Sequence, residues 1–289
     1  MNVGVVGTGS MGSVHVELLR TQVPGATVAA TADPFAPGAD YADGRELIAD
    51  PAVEAVVIAS PPETHEALVL ACLDAGKRVL CEKPLADTVE ACRRIAAADA
   101  DGRLTVGFMR RRDPGYADLK RRLDAGEIGT PLAAHMVHRN AASPAWFTAD
   151  HVLTDSLVHE ADVTRWLLGE EIARVTVHAV DDGLSGPQLI VLETASGRIV
   201  GVECFVNAGY GYDVRCEVVG EGGTLELPRR PGVVPDFQQW FGEAYRRELQ
   251  AWVDGEPGPT AFDGYAATAV CAAAVESRRS GRPVDIRLS

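Results

Sequence analysis

The chain of 289 residues has no Cys-x-x-Cys pair, no basic tract and no long apolar run, and each absence excludes a class of protein. Its six cysteines, Cys72, Cys81, Cys92, Cys204, Cys216 and Cys271, lack the spacing of a zinc site or a redox pair. Most lie in apolar periodic stretches, as buried structural thiols do. The densest basic stretch is Arg110-Arg111-Arg112, and the formal net charge is −14. Nucleic-acid binding needs clustered positive charge to displace counterions, so no such partner is expected. No segment approaches the ~18 to 20 apolar residues of a transmembrane helix. The first apolar stretch, Val3 to Val6, lacks the basic flank of a signal peptide and runs straight into a glycine loop. The expectation is a soluble cytoplasmic protein, bound to neither nucleic acid nor membrane.

What is present suffices for a real core: 46% of residues are hydrophobic and 24% charged. The length suggests two domains. In the first, apolar runs at Val3 to Val6, Thr27 to Ala32, Val53 to Ala59, Arg78 to Cys81 and Leu104 to Phe108 have strand length. Between them, Ser13 to Thr21, Thr64 to Ala75 and Thr88 to Ala100 space apolar residues as helices do. This alternation predicts a Rossmann-type, doubly wound parallel sheet in an α/β domain over residues 1–113. Residues 34 to 52 break the rhythm. Pro34, Pro37, Gly38, Gly44 and Pro51 leave only about Arg45 to Ala49 able to form a helical turn, so the second crossover is abbreviated.

After Asp113-Pro114-Gly115 the pattern changes. Helices at Tyr116 to Ala125 and Asp155 to Leu168 flank a strand at Leu132 to Arg139. Strands at Glu171 to Val180, Leu189 to Thr194, Ile199 to Val206, Val214 to Gly220 and Thr224 to Leu227 then follow without intervening helices. Residues 114–289 are therefore expected to form an α+β domain with a largely antiparallel or mixed open sheet, closed by helices at Asp236 to Val253 and Thr260 to Ser280.

Gly7-Thr8-Gly9-Ser10-Met11-Gly12 follows the first strand and opens the first helix, the context in which a GxGxxG loop cradles a pyrophosphate. Asp33 ends the second strand, where a carboxylate would accept hydrogen bonds from ribose hydroxyls and repel a 2′-phosphate; NAD is expected over NADP. Read without a ligand, Asp33 simply starts a turn before Pro34. Cys81-Glu82-Lys83-Pro84 sits at the C-terminal end of a parallel strand, the edge where such sheets bind ligands. Asp155, His159 and Asp162 have the spacing of one helix face. From spacing alone, Asp155 as an N-cap and His159 as a satisfied core histidine is the leading account.

Together these residues resemble the Gfo/Idh/MocA oxidoreductases. The marks are GVVGTGSMGSVH, ASPPETH, LCEKPL and TDSLVHEADVTRWL, and the likeness spans essentially the whole chain. Further stretches, VGFMRRRDPGY, MVHRNAA, FVNAGYGYDVRCEVVGE and FDGYAATA, resemble the inositol dehydrogenase branch. The resemblance implies NAD-dependent oxidation of a ring hydroxyl of a cyclic polyol, with Lys83, Asp155 and His159 as the catalytic set. It also implies Ser60, Pro61, His65, Glu82 and Lys83 at the cofactor. His138, Asn140, Tyr210 and Tyr212 would hold the remaining hydroxyls, with Arg110 nearby. Tyr210 and Tyr212, two apart on an expected strand, would share a face, though sheet packing explains them nearly as well, and His138 could be strand surface. The same resemblance leaves open a related sugar or anhydrosugar dehydrogenase, and a non-catalytic NAD-binding sensor stands as the rival class. It implies dimers or tetramers built through the C-terminal sheet, on the face carrying Ile199, Gly201, Glu203 and Phe205. For that branch the chain is short, with much of the loss between Pro34 and Ala52.

Overall fold

Short β-branched and small apolar runs form the first sheet: β1 (Asn2–Val6), β2 (Thr27–Ala32), β3 (Ala55–Ile58), β4 (Arg78–Glu82) and β5 (Leu104–Gly107). All pair in parallel in the order β2-β1-β3-β4-β5. β3 is buried along its whole length, which is why it is apolar without alternation. The helices between are α1 (Ser10–Thr21), α2 (Gly44–Ala49), α3 (Pro62–Asp74) and α4 (Val89–Ala98). Thr88 caps α4 by accepting from the Ala91 N–H at 3.2 Å. This computed structural model describes residues 1–180, 183–230 and 233–288. The chain divides into two units, Met1–Met109 with Tyr245–Thr268, and Arg110–Ala244 with Ala269–Ser289.

The second crossover is short, as its prolines and glycines require. α2 has six residues, and Asp43 caps it by accepting from the Arg45 N–H. The preceding loop folds back on β2: Tyr41 donates to the Thr31 carbonyl at 3.0 Å and accepts from the Asp33 N–H at 3.0 Å, and Asp40 accepts from the Thr31 N–H and hydroxyl. The exposed edge of the sheet is thereby partly paired by its own chain.

The second unit begins with α5 (Pro114–Asp124), capped by Asp113, and β6 (Pro131–Arg139). A single turn, α6 (Ala149–His151), leads into a π-helical turn (Val152–Ser156) and then α7 (Leu157–Leu168). β7 (Ile172–Ala179), β8 (Gln188–Thr194), β9 (Ile199–Phe205), β10 (Asp213–Gly220) and β11 (Gly223–Glu226) follow. α8 (Phe237–Asp254), α9 (Ala261–Ser280) and the short β12 (Val284–Asp285) complete the chain. The sheet order is β11-β10-β6-β9-β8-β7-β12, antiparallel except for β6 with β9. Alternation sets its two faces: Ala134, Met136 and His138 of β6 are buried with Val200, Val202 and Cys204 of β9, while Ile199 and Leu189 point outward and are exposed. Among the described residues no helix is long and apolar enough to cross a membrane.

Two local expectations fail. The helix expected from Asp155 starts earlier and carries the π turn, so Asp155 and His159 are not on one regular α-helical face. Tyr210 and Tyr212 do not share a strand face either. Gly211 between them has φ +130°, β10 starts only at Asp213, and Tyr210 is 59% exposed whereas Tyr212 is 5% exposed.

Candidate active site

In the first unit, β1 runs into Gly7, whose φ of +84° an L side chain rarely adopts. A Cβ on Gly7 would lie 2.6 Å from the Ser60 backbone nitrogen, and one on Gly12 would lie 1.8 Å from the Gly7 carbonyl oxygen. Those two glycines let the turn and the helix pack. Gly9 differs, because a Cβ there meets nothing within 4 Å. Gly9 is the N-cap of α1, and no side chain caps that helix. Open space beside the uncapped N-terminal turn of Ser10, Met11 and Gly12 suits a pyrophosphate both sterically and electrostatically.

Asp33 faces this loop. One carboxylate oxygen accepts from the Thr8 N–H at 2.8 Å and the Thr8 hydroxyl at 3.0 Å, and the other accepts from the Phe35 N–H at 2.9 Å. The Thr8 and Phe35 backbone donors hold its carboxyl below the usual range despite some desolvation. An ionised carboxylate is thus fixed at the end of β2, suited to ribose hydroxyls.

At the ends of β3 and β4, Pro61 caps α3 and the Ser60 and Thr64 hydroxyls lie 2.6 Å apart. His65 is buried, with Nδ1 3.0 Å from the Pro84 carbonyl oxygen and Nε2 2.8 Å from that of Ser60. Glu82 is buried against His15, and its second oxygen accepts from the Lys83 backbone N–H at 3.2 Å. The Lys83–Pro84 peptide bond is cis.

In the second unit, His159 is buried on α7 and Asp155 lies in the π turn before it. His138, in phase with the buried residues of β6, places its ring 6.0 Å from that of His159. The Tyr212 hydroxyl lies 3.3 Å from His138 Nε2. Arg110, 1% exposed, donates to Glu160 and has Nη2 3.2 Å from His138 Nδ1, with its guanidinium also over the rings of Tyr116 and Phe241. Glu160 completes the set at 3.1 Å from His138 Nδ1. Burial pushes the Glu160 carboxyl up, but Arg110 and His138 reverse this and hold it at about 2. Asp162 is engaged by Arg111, whose Nε donates at 3.0 Å.

Of the expected residues of this unit, His138, Tyr212 and Arg110 therefore come together, and His159 adjoins them through the His138 ring. Asn140 follows β6; its backbone accepts from the Ala208 N–H and donates to the Phe205 carbonyl. Tyr210 lies apart, with the Arg139 guanidinium 5.9 Å from its ring centre. A cavity of about 520 Å³ opens beside Tyr210, Trp240, His135 and Arg215 on the outward side of the sheet, and neither His159 nor Asp155 lines it. Sequence reasoning missed Glu160, which stands only within the stretch TDSLVHEADVTRWL. Two adjacent arginines, Arg110 and Arg111, and two acids two apart on one helix were the available signal.

The sequence matches two family profiles: an oxidoreductase family with an NAD-binding Rossmann fold over residues 1–108, and the GFO/IDH/MocA C-terminal domain over residues 116–226. The chain belongs to the Gfo/Idh/MocA oxidoreductase family. Its relatives include inositol 2-dehydrogenase 1 of Saccharopolyspora erythraea, 50% identical over all of this chain and 97% of the relative. Inositol 2-dehydrogenase of Mycolicibacterium gilvum is 44% identical over all of this chain and 94% of the relative. The first alignment extends over 327 residues, so the Saccharopolyspora protein carries internal insertions relative to this family member. Among solved structures, myo-inositol dehydrogenase from Lactobacillus casei in complex with NAD(H) and myo-inositol superposes with a TM-score of 0.95 at 35% identity, over all of this chain and 97% of that one.

Proposed function

We propose that the chain is an NAD-dependent dehydrogenase that oxidises a secondary hydroxyl of a cyclic polyol of the myo-inositol class to a ketone. The observation that carries this reading is the likeness over the full chain to inositol 2-dehydrogenases, 50% identical in one case. NAD, when bound at the glycine loop, supplies a hydride acceptor. The residues of the chain manage the other half of the reaction, the hydroxyl proton and the developing alkoxide charge.

In this reading His159 takes the hydroxyl proton, Lys83 hydrogen-bonds the same oxygen and stabilises its charge, and Asp155 orients His159 or the adjoining substrate hydroxyl. Gly7, Thr8, Gly9, Ser10, Met11, Gly12 and Asp33 hold the cofactor, with Ser60, Pro61 and Glu82 beside it. His138, Asn140 and Tyr212 meet the remaining hydroxyls, and Tyr210, exposed and apart from them, drops out of that set. The burial of Arg110 against Glu160 and His138 favours support of His138 over contact with substrate. A cyclic polyol is neutral, so the net charge of −14 leaves its approach unopposed.

Assembly through the outward sheet face is part of the proposal, supported by exposed Ile199 and Leu189 there. A cytoplasmic setting is supported by six cysteines that are all free and buried. The deciding assay is a panel of inositol isomers and hexoses with NAD and NADP, ranked by kcat/KM. myo-Inositol or a close isomer with NAD should lead it, and NAD binding without absorbance at 340 nm from any cyclitol or sugar would overturn the assignment.

A further inference from the structure

Two buried histidines of the first unit converge on the Lys83–Pro84 dipeptide from opposite ends. His65, on α3, is 1% exposed and fills the space between the loops after β3 and β4. Its ring nitrogens lie 3.0 Å from the Pro84 carbonyl oxygen and 2.8 Å from that of Ser60. A neutral imidazole has one N–H and serves one of these carbonyls at a time; the imidazolium serves both. Burial lowers its pKa, while the Ser60 and Pro84 carbonyls and the Glu82 charge pull it partly back. In either state its partners are protein backbone.

His15, on α1, approaches from the other end. Its Nε2 lies 2.7 Å from Glu82 Oε1, and its Nδ1 is buried with no hydrogen-bond partner among the described residues. The neutral ring therefore carries its proton on Nε2 and donates it to Glu82, because an N–H at Nδ1 would be left unsatisfied. The other Glu82 oxygen accepts from the Lys83 N–H at 3.2 Å. The Lys83 nitrogen is thus held from α1, the helix that the glycine loop opens, and the Pro84 carbonyl from α3.

An apolar side chain could fill either position without the cost of burying an imidazole. What an apolar side chain cannot do is fix the two ends of a dipeptide whose lysine must meet a reacting oxygen within a fraction of an ångström. We propose that His15 and His65 are positioning residues that fix the Lys83–Pro84 backbone, and through it the Lys83 ammonium, relative to the dinucleotide loop. This moves His65 from the cofactor contact that family resemblance implies to a supporting role. The proposal rests on the reading of Lys83 as a catalytic residue.

A double-mutant cycle with Lys83 tests it, read by kcat in single-turnover NADH formation at high enzyme concentration. His65→Ala and His15→Leu should each lower kcat by about 10- to 100-fold, the scale on which a misplaced reacting group loses rate. In a Lys83→Ala background neither should cost more than about twofold, because a residue acting only through Lys83 has nothing left to act on. The conservative variants give a second readout. Asn at position 65 keeps an amide nitrogen near Nδ1 and so the Pro84 contact, whereas Gln keeps one near Nε2 and so the Ser60 contact. His65→Asn should retain more turnover than His65→Gln, and this comparison stands even where His65→Ala does not fold. Losses that multiply with Lys83→Ala, unchanged kcat in the histidine variants, or better turnover in His65→Gln would each overturn the proposal. Undiminished turnover in Lys83→Ala alone would overturn the underlying catalytic reading instead, and it is seen before either histidine is changed.

Discussion

Glu160 turns one carboxylate oxygen to Arg110 and the other to His138, which is 3.1 Å away, and all three side chains are buried. Removing Glu160 leaves the Arg110 guanidinium an uncompensated buried charge, which costs about 3 to 5 kcal/mol. Glu160→Gln should therefore lower stability by that order near pH 7, measured by denaturant unfolding. The acid dependence has a definite sign. The folded carboxyl sits at about 2 against an ordinary 4.5, so its contribution is full above 4.5 and is lost as pH falls towards 2. Melting temperatures of the wild type should fall more steeply across that window than those of Glu160→Gln, and parallel slopes would contradict the assignment.

Asp33 should govern the choice between the two dinucleotides. Its ionised carboxylate, held by Thr8 and Phe35, stands where a 2′-phosphate would be repelled. Asp33→Ser should narrow the preference for NAD over NADP by at least about tenfold, as expected for removal of a close like charge worth over ~1.4 kcal/mol. The ratio of kcat/KM values measures it, and an unchanged ratio removes Asp33 from that role.

Gly9 and Gly12 should fail in different ways. Gly12→Ala drives a methyl to 1.8 Å from the Gly7 carbonyl oxygen, so the variant should unfold at lower temperature or not accumulate. Gly9→Ala meets no atom of the described residues within 4 Å and should melt like the wild type, yet bind NAD at least about tenfold more weakly, because its methyl occupies the space kept for the pyrophosphate. Calorimetric titration with NAD beside a thermal melt separates the two effects.

His159→Ala and Lys83→Ala should each reduce kcat by about 100-fold or more, the scale of lost general-base or electrostatic catalysis. NAD affinity should stay within about threefold of wild type in both, since neither substitution removes a pyrophosphate or ribose contact. Near-normal turnover in either variant removes that residue from the chemistry.

Much of this is legible in the sequence. Short apolar runs separated by amphipathic stretches specify a parallel sheet almost unaided, and the prolines and glycines of residues 34 to 52 foretold the six-residue α2. Polar residues that act through tertiary pairing were harder to read. Glu160 draws no notice in the sequence and Asp162 groups with Asp155 and His159, whereas the fold pairs them with Arg110 and Arg111. Tyr210 and Tyr212 misled because a period-two pattern presumes extended backbone, and Gly211 departs from it. The spacing of Asp155 and His159 misled for a related reason, since a four-residue interval marks one face only where the helix has α periodicity.

That last departure bears on how the helix could have arisen. A π turn is what an α-helix becomes when it accommodates one extra residue without unwinding. Deleting one residue from Val152–Ser156 would let the segment regularise as α-helix while the turns on either side keep their bearing, because the wider π turn has already absorbed the extra residue. The change would be confined to the turn that carries Asp155, with His159 left on α7. A single extra residue is thus absorbed within one turn, the turn that carries Asp155, and the α periodicity of the segment bearing His159 is undisturbed.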